Sequence, residues 1–396
     1  MTVYRELYIR ADTTDTAQIL GSVGYLDSGL TREEIHKTSQ QSDNYQNWRV
    51  RISPDNGRSF GAFEPLDWVN VQLESGGIAT YPGVPQVDPA TGIRYRSIMK
   101  RFWPEKELYT FDWSTHEHPF HDHVFVSEEH REGSSDDRSV EMRYERFDTS
   151  FDPEDPFQPG FLTSNRCYRG QSFCFDQNTR AYHPVVCRPS KYEYGHTRGG
   201  VVLMRRDPDG SWSPSNQRYV SPDVSSRGLL EPDAAVLNDG RILIVCRGSD
   251  TPSTEGRKWM TWSEDSGRTL EPIEEFRYAS GKRFYSPSSI HRFFRSTKNG
   301  VLYWIGNISN GPPSGNNPRY PLAMGMIDED RMGMTDDGVT VIDDRATEEP
   351  ESLSLSNFFL LENRETLDLE LYLTRHAAKS TTWYSSVYRY VIGIEA

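Results

Sequence analysis

The sequence lacks the long apolar runs, the excess of positive charge and the cysteine spacing that would identify several classes of protein. No stretch approaches the roughly 18 to 20 continuous apolar residues that span a bilayer, so no membrane partner is predicted. Acidic residues (58) outnumber Lys and Arg (44), and the net charge of −14 argues against a nucleic-acid partner. No C-x-x-C pair occurs, so a zinc site is not favoured and no metal ligand is assigned.

The N-terminus and the cysteines leave the cellular compartment open. Residues 1–20 lack the basic segment and apolar core of a signal peptide, and secretion is favoured only if such a peptide has been removed. The four cysteines are Cys167, Cys174, Cys187 and Cys246. A Cys167–Cys174 or Cys174–Cys187 disulfide would fit a secreted enzyme, and four unpaired thiols fit the sequence equally well.

Short strands separated by tight turns dominate the rest of the sequence. Hydrophobic residues make up 35% and charged residues 26%, which is typical of a folded chain with a sizeable core. Gly199-Gly200, Asn238-Asp239-Gly240 and Asn299-Gly300 are turn sequences that each precede a short apolar run. A weak helix signal occurs only within residues 13–36. The pattern predicts an all-β fold in which residues 1–396 form a single domain.

A repeated turn motif indicates which all-β fold this is. Residues 53–60 (SPDNGRSF) and 263–270 (SEDSGRTL) share the pattern S-x-D-x-G-x-[S/T]-apolar, and residues 207–212 are a shortened version. The Asp side chain can accept hydrogen bonds from the turn, and Gly tolerates its left-handed backbone. The motif resembles the Asp boxes of sialidase-like β-propellers, which lie in outer hairpins of the blades and are structural.

That resemblance implies a single β-propeller of six to eight blades. Blades of about 40 to 50 residues fit this length best as seven. It also implies that Asp55 and Asp265 lie in equivalent outer turns of different blades, away from any central pocket.

The segment from Leu229 to Arg247 resembles a blade of the sialidase-like propellers, with an acidic residue, an Asp-Gly turn and a strand ending in Arg. By this resemblance Arg247 and Arg319 match two arginines that bind the substrate carboxylate in sialidases, a role that suits a planar guanidinium. Tyr384 lies near the C-terminus, where sialidases place their nucleophile, with Glu231 as its partner. The alternatives are strand-ending ion pairs for the arginines and a core position for Tyr384. The R-I-P motif of sialidases is absent.

Histidines and tyrosines suggest a second possible catalytic mechanism. His118, His121 and His123 belong to a cluster that fits an incidental surface loop, a metal site or a catalytic base. Tyr194, His196 and Arg198 precede a strand. His, Tyr and Arg are the groups that β-elimination next to a uronate carboxylate requires, because a cation neutralises the carboxylate while other groups remove one proton and deliver another. Ulvan lyases and rhamnose–glucuronate lyases, which this pattern resembles, carry out that reaction on sialidase-like propellers.

These features favour a carbohydrate-active enzyme that cleaves a glycosidic bond next to an acidic sugar. A lyase acting on a glucuronate-containing glycan, such as a rhamnose–glucuronate linkage, is favoured. The alternatives are a sialidase-type hydrolase, using Tyr384 or the carboxylates Glu231 and Asp233, and a non-catalytic glycan-binding propeller. Arg198, Arg247 and Arg319 are predicted to converge on one pocket that binds an acidic oligo- or polysaccharide. No cofactor is assigned, a structural or substrate-bridging Ca²⁺ is left as an alternative, and a monomer is expected.

Overall fold

The computed structural model describes residues 1–11, 16–41, 43–110, 120–130, 137–146, 149–178, 180–188, 199–377 and 384–395. In these ranges a short helix, α1 (Pro159–Thr163), accompanies the strands β1 (Thr2–Ile9), β2 (Ala17–Tyr25), β3 (Arg32–Gln41), β4 (Asn44–Ser53), β5 (Glu64–Pro65), β6 (Asn70–Leu73), β7 (Gly76–Pro82), β8 (Gln86–Val87), β9 (Arg94–Pro104), β10 (His121–Glu129), β11 (Arg138–Glu141), β12 (Cys167–Arg169), β13 (Cys174–Phe175), β14 (Ala181–Cys187), β15 (Gly200–Arg206), β16 (Trp212–Pro214), β17 (Leu230–Val236), β18 (Ile242–Arg247), β19 (Lys258–Ser263), β20 (Glu274–Glu275), β21 (His291–Arg295), β22 (Leu302–Asn307), β23 (Leu322–Asp328), β24 (Gly333–Asp343), β25 (Phe359–Glu362), β26 (Leu369–Thr374) and β27 (Val387–Gly393). No helix in the described ranges is long and apolar enough to cross a membrane.

The strands form six antiparallel sheets, which are the blades of one β-propeller. Blade 1 contains β2–β5, blade 2 β6–β11, blade 3 β12–β16, blade 4 β17–β20, blade 5 β21–β24, and blade 6 β25–β27 with β1. The N-terminal strand β1 pairs with β27, and Thr2 lies opposite Gly393. The two ends of the described chain are therefore joined within one blade, which closes the ring.

The prediction of an all-β propeller is confirmed, but the favoured number of seven blades is wrong. The blades are longer than the assumed period because their connections are long and some carry additional strands. Blade 2 alone runs from Asn70 to Glu141 and contains six strands. The weak helix prediction within residues 13–36 is also wrong, since its described part contains β2 and the start of β3.

The middle strands of the blades supply the core. Every residue of β18, β22 and β26 is buried, as expected for strands whose two faces are both covered by neighbouring blades. In β9, buried and half-buried residues alternate along most of the strand, which is the period-2 pattern of a strand with one better-covered face. Trp103 and Trp304 are fully buried within this packing.

All four cysteines carry free thiols, so the structure has the second of the two arrangements that the sequence left open. Cys167 and Cys187 face each other in register across β12 and β14. The sulfur of Cys187 lies 3.2 Å from the Tyr219 hydroxyl, while Cys174 pairs in register with Tyr182 rather than with another cysteine. The strand register therefore places no cysteine opposite Cys174, the residue that both of the suggested disulfides would require.

The two Asp boxes occupy equivalent turns, as predicted. Each follows the third strand of its blade, β4 in blade 1 and β19 in blade 4. Asp55 accepts the Ser59 N–H at 2.8 Å, and Asp265 accepts the Thr269 N–H at the same distance. Neither Asp lines the central cavity described below. The boxes therefore stabilise outer hairpins.

We expect Gly267→Ala in the second box to destabilise the protein more than Gly240→Ala. Both glycines have left-handed φ angles, 78° and 91°, so each alanine costs about 1 kcal/mol of strain. A Cβ at position 267 would also lie 2.9 Å from the ring of Tyr182, while one at position 240 meets nothing within 4 Å. Tyr182 is fully buried, so overpacking adds about 1–3 kcal/mol. Urea unfolding measures the difference, and equal losses for the two variants would contradict this packing.

Candidate active site

A cavity of about 430 Å³ lies on the propeller axis, a size suited to a small ligand. Each of the six blades contributes residues to its wall. Ile19 comes from blade 1, Gly83 from blade 2, Gln171 from blade 3, Glu231 from blade 4, and Ile290 from blade 5. Blade 6 contributes a group that includes Phe358 and His376.

Glu231 enters this cavity through an irregularity in the innermost strand of blade 4. Its φ angle is 41°, which is uncommon for a residue other than glycine. The register between β17 and β18 shifts at this point, from Leu230 opposite Arg247 to Asp233 opposite Val245. A bulge of this kind redirects a side chain, and here it brings Glu231 next to Arg247.

Arg247 is held by three polar partners at the end of β18. Its guanidinium donates to Glu231 Oε2 at 2.5 Å, to Ser288 Oγ at 2.8 Å and to Asn316 Oδ1 at 3.1 Å. Arg319 donates to the carbonyl oxygen of the same Ser288 at 3.0 Å. One segment of blade 5 therefore orients both arginines that the sequence singled out.

The charges around Glu231 keep it ionised. Burial alone would raise the pKa of this carboxyl, but Arg247, together with Arg319 and Arg227, lowers it below its ordinary value. Burial and the neighbouring Arg247 lower the pKa of Arg319 to about 10, which still leaves the guanidinium protonated at neutral pH. The cavity thus presents a carboxylate beside fixed positive charges.

Asp43 provides a second carboxylate, which the sequence did not reveal. It lies in the turn between β3 and β4, and the Tyr45 hydroxyl donates to its Oδ1 at 3.3 Å. The negative charge of Asp43 acts on Arg319 of blade 5 and on Tyr168 of blade 3. Asp43 therefore faces the interior of the cavity from blade 1. Its only sequence signal is a polar turn after a strand.

Tyr168 is the tyrosine that the structure places near Glu231. It lines the cavity from β12, and burial and the Glu231 charge raise the pKa of its hydroxyl to about 12. Tyr384, predicted to be the partner of Glu231, lies beside Ser385, whose carbonyl accepts the Gln18 N–H at 2.9 Å. Tyr384 is not among the described residues that line the cavity.

The predicted histidines are not gathered at the axis in the described structure. His121 and His123 lie in β10, which pairs with β9 and β11 and is the second strand from the β11 edge of blade 2. The ring of His123 stacks on Phe161 with centroids 4.1 Å apart, and neither His lines the cavity. His118, Tyr194, His196 and Arg198 lie outside the described residues. His376, which the sequence did not single out, lines the cavity, and burial and then the Arg319 charge lower its pKa to about 4.

Positive charge predominates in the cavity wall, against the sign of the chain as a whole. Among the described lining residues the Lys and Arg side chains are Lys37, Arg169, Arg292 and Arg319, and the carboxylates are Asp43 and Glu231. A cavity of this kind concentrates an anionic ligand despite the net charge of −14. Within the described part of the chain, no group of three or more His, Cys, Asp or Glu is arranged to hold a metal ion.

No family model and no curated protein matches this chain, but solved structures do. A protein of unknown function from Dyadobacter fermentans is 12% identical, with 99% of both chains covered and a TM-score of 0.64. The intramolecular trans-sialidase from Ruminococcus gnavus is 12% identical, with 99% of this chain and 98% of its own covered and a TM-score of 0.58. The NanB sialidase from Streptococcus pneumoniae is 11% identical, with 98% of this chain and 70% of its own covered and a TM-score of 0.59. At these identities the likeness shows a shared fold, that of the sialidase β-propellers.

Proposed function

We propose that this protein is a glycoside hydrolase that cleaves the bond next to an acidic sugar bound in the axial cavity. The observation that carries the proposal is the set of positive charges that line the axial cavity, which includes Arg319. Arg319 shares Ser288 as a partner with Arg247, which binds the lining residue Glu231 but is not itself among the lining residues. Guanidinium groups bind carboxylates through paired, charge-assisted hydrogen bonds. The fold shared with sialidases supports a carbohydrate substrate.

Hydrolysis is favoured over elimination because of which groups line the cavity. Glycoside hydrolysis uses a pair of carboxyl groups on either side of the scissile bond, and Asp43 and Glu231 enter the cavity from blades 1 and 4. The described histidines that were predicted as the base of a lyase, His121 and His123, do not line it.

Each charged group has a role in this reaction. Arg247 and Arg319 bind the carboxylate of the sugar and fix its orientation. In its protonated form Asp43 donates its proton to the departing glycosidic oxygen, and the resulting Asp43 carboxylate then accepts a proton from the water that adds to the anomeric carbon. The ionised Glu231 stabilises the positive charge that develops on the sugar ring.

Product analysis in H₂¹⁸O tests the proposal. The protein is incubated with sialylated glycans and with uronate-containing glycans, and the products are examined by mass spectrometry and ultraviolet absorbance. We expect one ¹⁸O atom in the released sugar and no rise in absorbance. An unsaturated uronate, which absorbs in the ultraviolet and contains no added water, would instead establish the lyase. Binding without cleavage of any acidic glycan would favour a glycan-binding propeller.

A further inference from the structure

The cavity contains a second group of cations that the proposed reaction does not use. Lys37 of β3 is 8% exposed, and its Nζ lies 3.4 Å from the centre of the Tyr45 ring and 4.6 Å from that of Trp48. Arg169, at the end of β12, donates to the Tyr81 carbonyl at 3.5 Å. Both side chains line the cavity. Among the described residues no carboxylate forms a salt bridge with either, in contrast to Arg247, which is paired with Glu231.

This second group enters the cavity from blades 1 and 3, whereas Arg319 enters it from blade 5. The charges that act on Arg319 are those of Arg247, Glu231, Asp43 and Arg227. The charges that act on Lys37 are those of Arg169 and Asp43. The negative charge of Asp43 acts on both Lys37 and Arg319, so this carboxylate faces both groups of cations.

We propose that Lys37 and Arg169 form a second anion-binding subsite, and that the ligand carries two anionic groups, one for each end of the cavity. The proposal deepens the proposed function and rests on it. Two like charges held in a buried site repel each other, and an anion bound between them offsets that repulsion. The ligand class is a glycan whose second acidic group is a carboxylate or a sulfate ester.

The chemistry of Lys37 gives this subsite a pH dependence that arginine cannot provide. Burial, with a smaller contribution from Arg169, lowers the pKa of Lys37 to about 7, and Asp43 partly opposes the shift. The titratable or charged groups facing Lys37 are Asp43, Arg169 and Tyr45. Because the ammonium form binds anions, affinity is highest below pH 7 and declines above it. We expect a loss of about tenfold between pH 6 and pH 8.

Selenate is a suitable probe because it keeps its double charge over this pH range and can be located in crystals by anomalous scattering. Crystals of the intact chain soaked in selenate at pH 6 are expected to show one ion within hydrogen-bond distance of Lys37 and Arg169, and a second at Arg319. Lys37→Met should lose the first ion and keep the second. Lys37→Arg should keep both. The exposed Lys282→Met is the matched control and should bind as the unaltered protein does.

Calorimetric titrations with selenate at pH 6 and pH 8 complete the test. The unaltered protein should lose affinity at the first subsite, and Lys37→Arg should not. Selenate at Arg319 alone would overturn the second subsite and leave the proposed function standing, whereas selenate at neither end would contradict both.

Glycan ligands distinguish the source of the second acidic group. Uronate disaccharides with one carboxylate, with two carboxylates, and with one carboxylate plus a sulfate ester are compared at pH 6. We expect at least one doubly anionic ligand to bind about tenfold or more tightly than the singly anionic one, and Lys37→Met to abolish that difference. Equal binding of all three would overturn the proposal.

Discussion

Replacing Arg247 by Met is expected to reduce the turnover of an acidic glycan by a factor that corresponds to roughly 2 to 5 kcal/mol. The substitution removes the guanidinium that holds Glu231, which is also one of the two that we propose bind the substrate carboxylate. It also leaves Glu231 without its salt-bridge partner. Removal of one partner from a buried pair costs roughly 3 to 5 kcal/mol of stability. Because Glu231 borders a cavity that water can enter, we expect the lower end, about 3 kcal/mol.

The double variant Arg247→Met/Glu231→Gln separates the two effects. It removes the unpaired carboxylate, so most of the stability lost in Arg247→Met should return in urea unfolding, while activity stays low. Recovery of activity along with stability would show that neither Arg247 nor Glu231 takes part in the reaction. Full activity in Arg247→Met would reduce it to a structural ion pair.

Asp43→Asn is expected to lower kcat by about a hundredfold to ten-thousandfold, the usual contribution of a general acid. The amide keeps the size of the side chain but cannot donate a proton to the departing oxygen. Binding of the intact glycan, measured by calorimetry, should change far less than kcat, because the arginines that bind the carboxylate are unaltered. Asp209→Asn, in an exposed outer turn of blade 3, is the control. Equal effects of the two substitutions on kcat would exclude Asp43 as the acid.

The parts of the molecule that depend on nearby residues could be predicted from the sequence. The Asp-box turn is defined within eight residues, because Asp265 bonds to Ser263 and Thr269 of the same turn. Glu231 and Arg247 belong to one β-hairpin, and the sequence assigned both to one blade, although it paired Glu231 with Tyr384. The number of blades could not be counted in this way, since it depends on the lengths of connections that carry no periodic signal.

Residues that meet only when the ring closes were missed. Asp43, Lys37 and Tyr168 come from blades 1 and 3, and nothing in their local sequence relates them to Glu231 in blade 4. The histidine cluster was proposed as a source of the catalytic base because of its residue types alone. Its two described members that were predicted as bases, His121 and His123, lie opposite Phe102 and Lys100 of β9, so the strand pairing within blade 2 decides where they lie.

A crystal structure of the Asp43→Asn variant with an uncleaved acidic oligosaccharide would show directly where the substrate binds. We expect the sugar to lie on the propeller axis. Its carboxylate should be within hydrogen-bond distance of Arg247 and Arg319, and the glycosidic oxygen should lie next to the side chain of residue 43. A sugar bound away from the axis, or one whose carboxylate contacts neither arginine, would show that the axial cavity is not the active site.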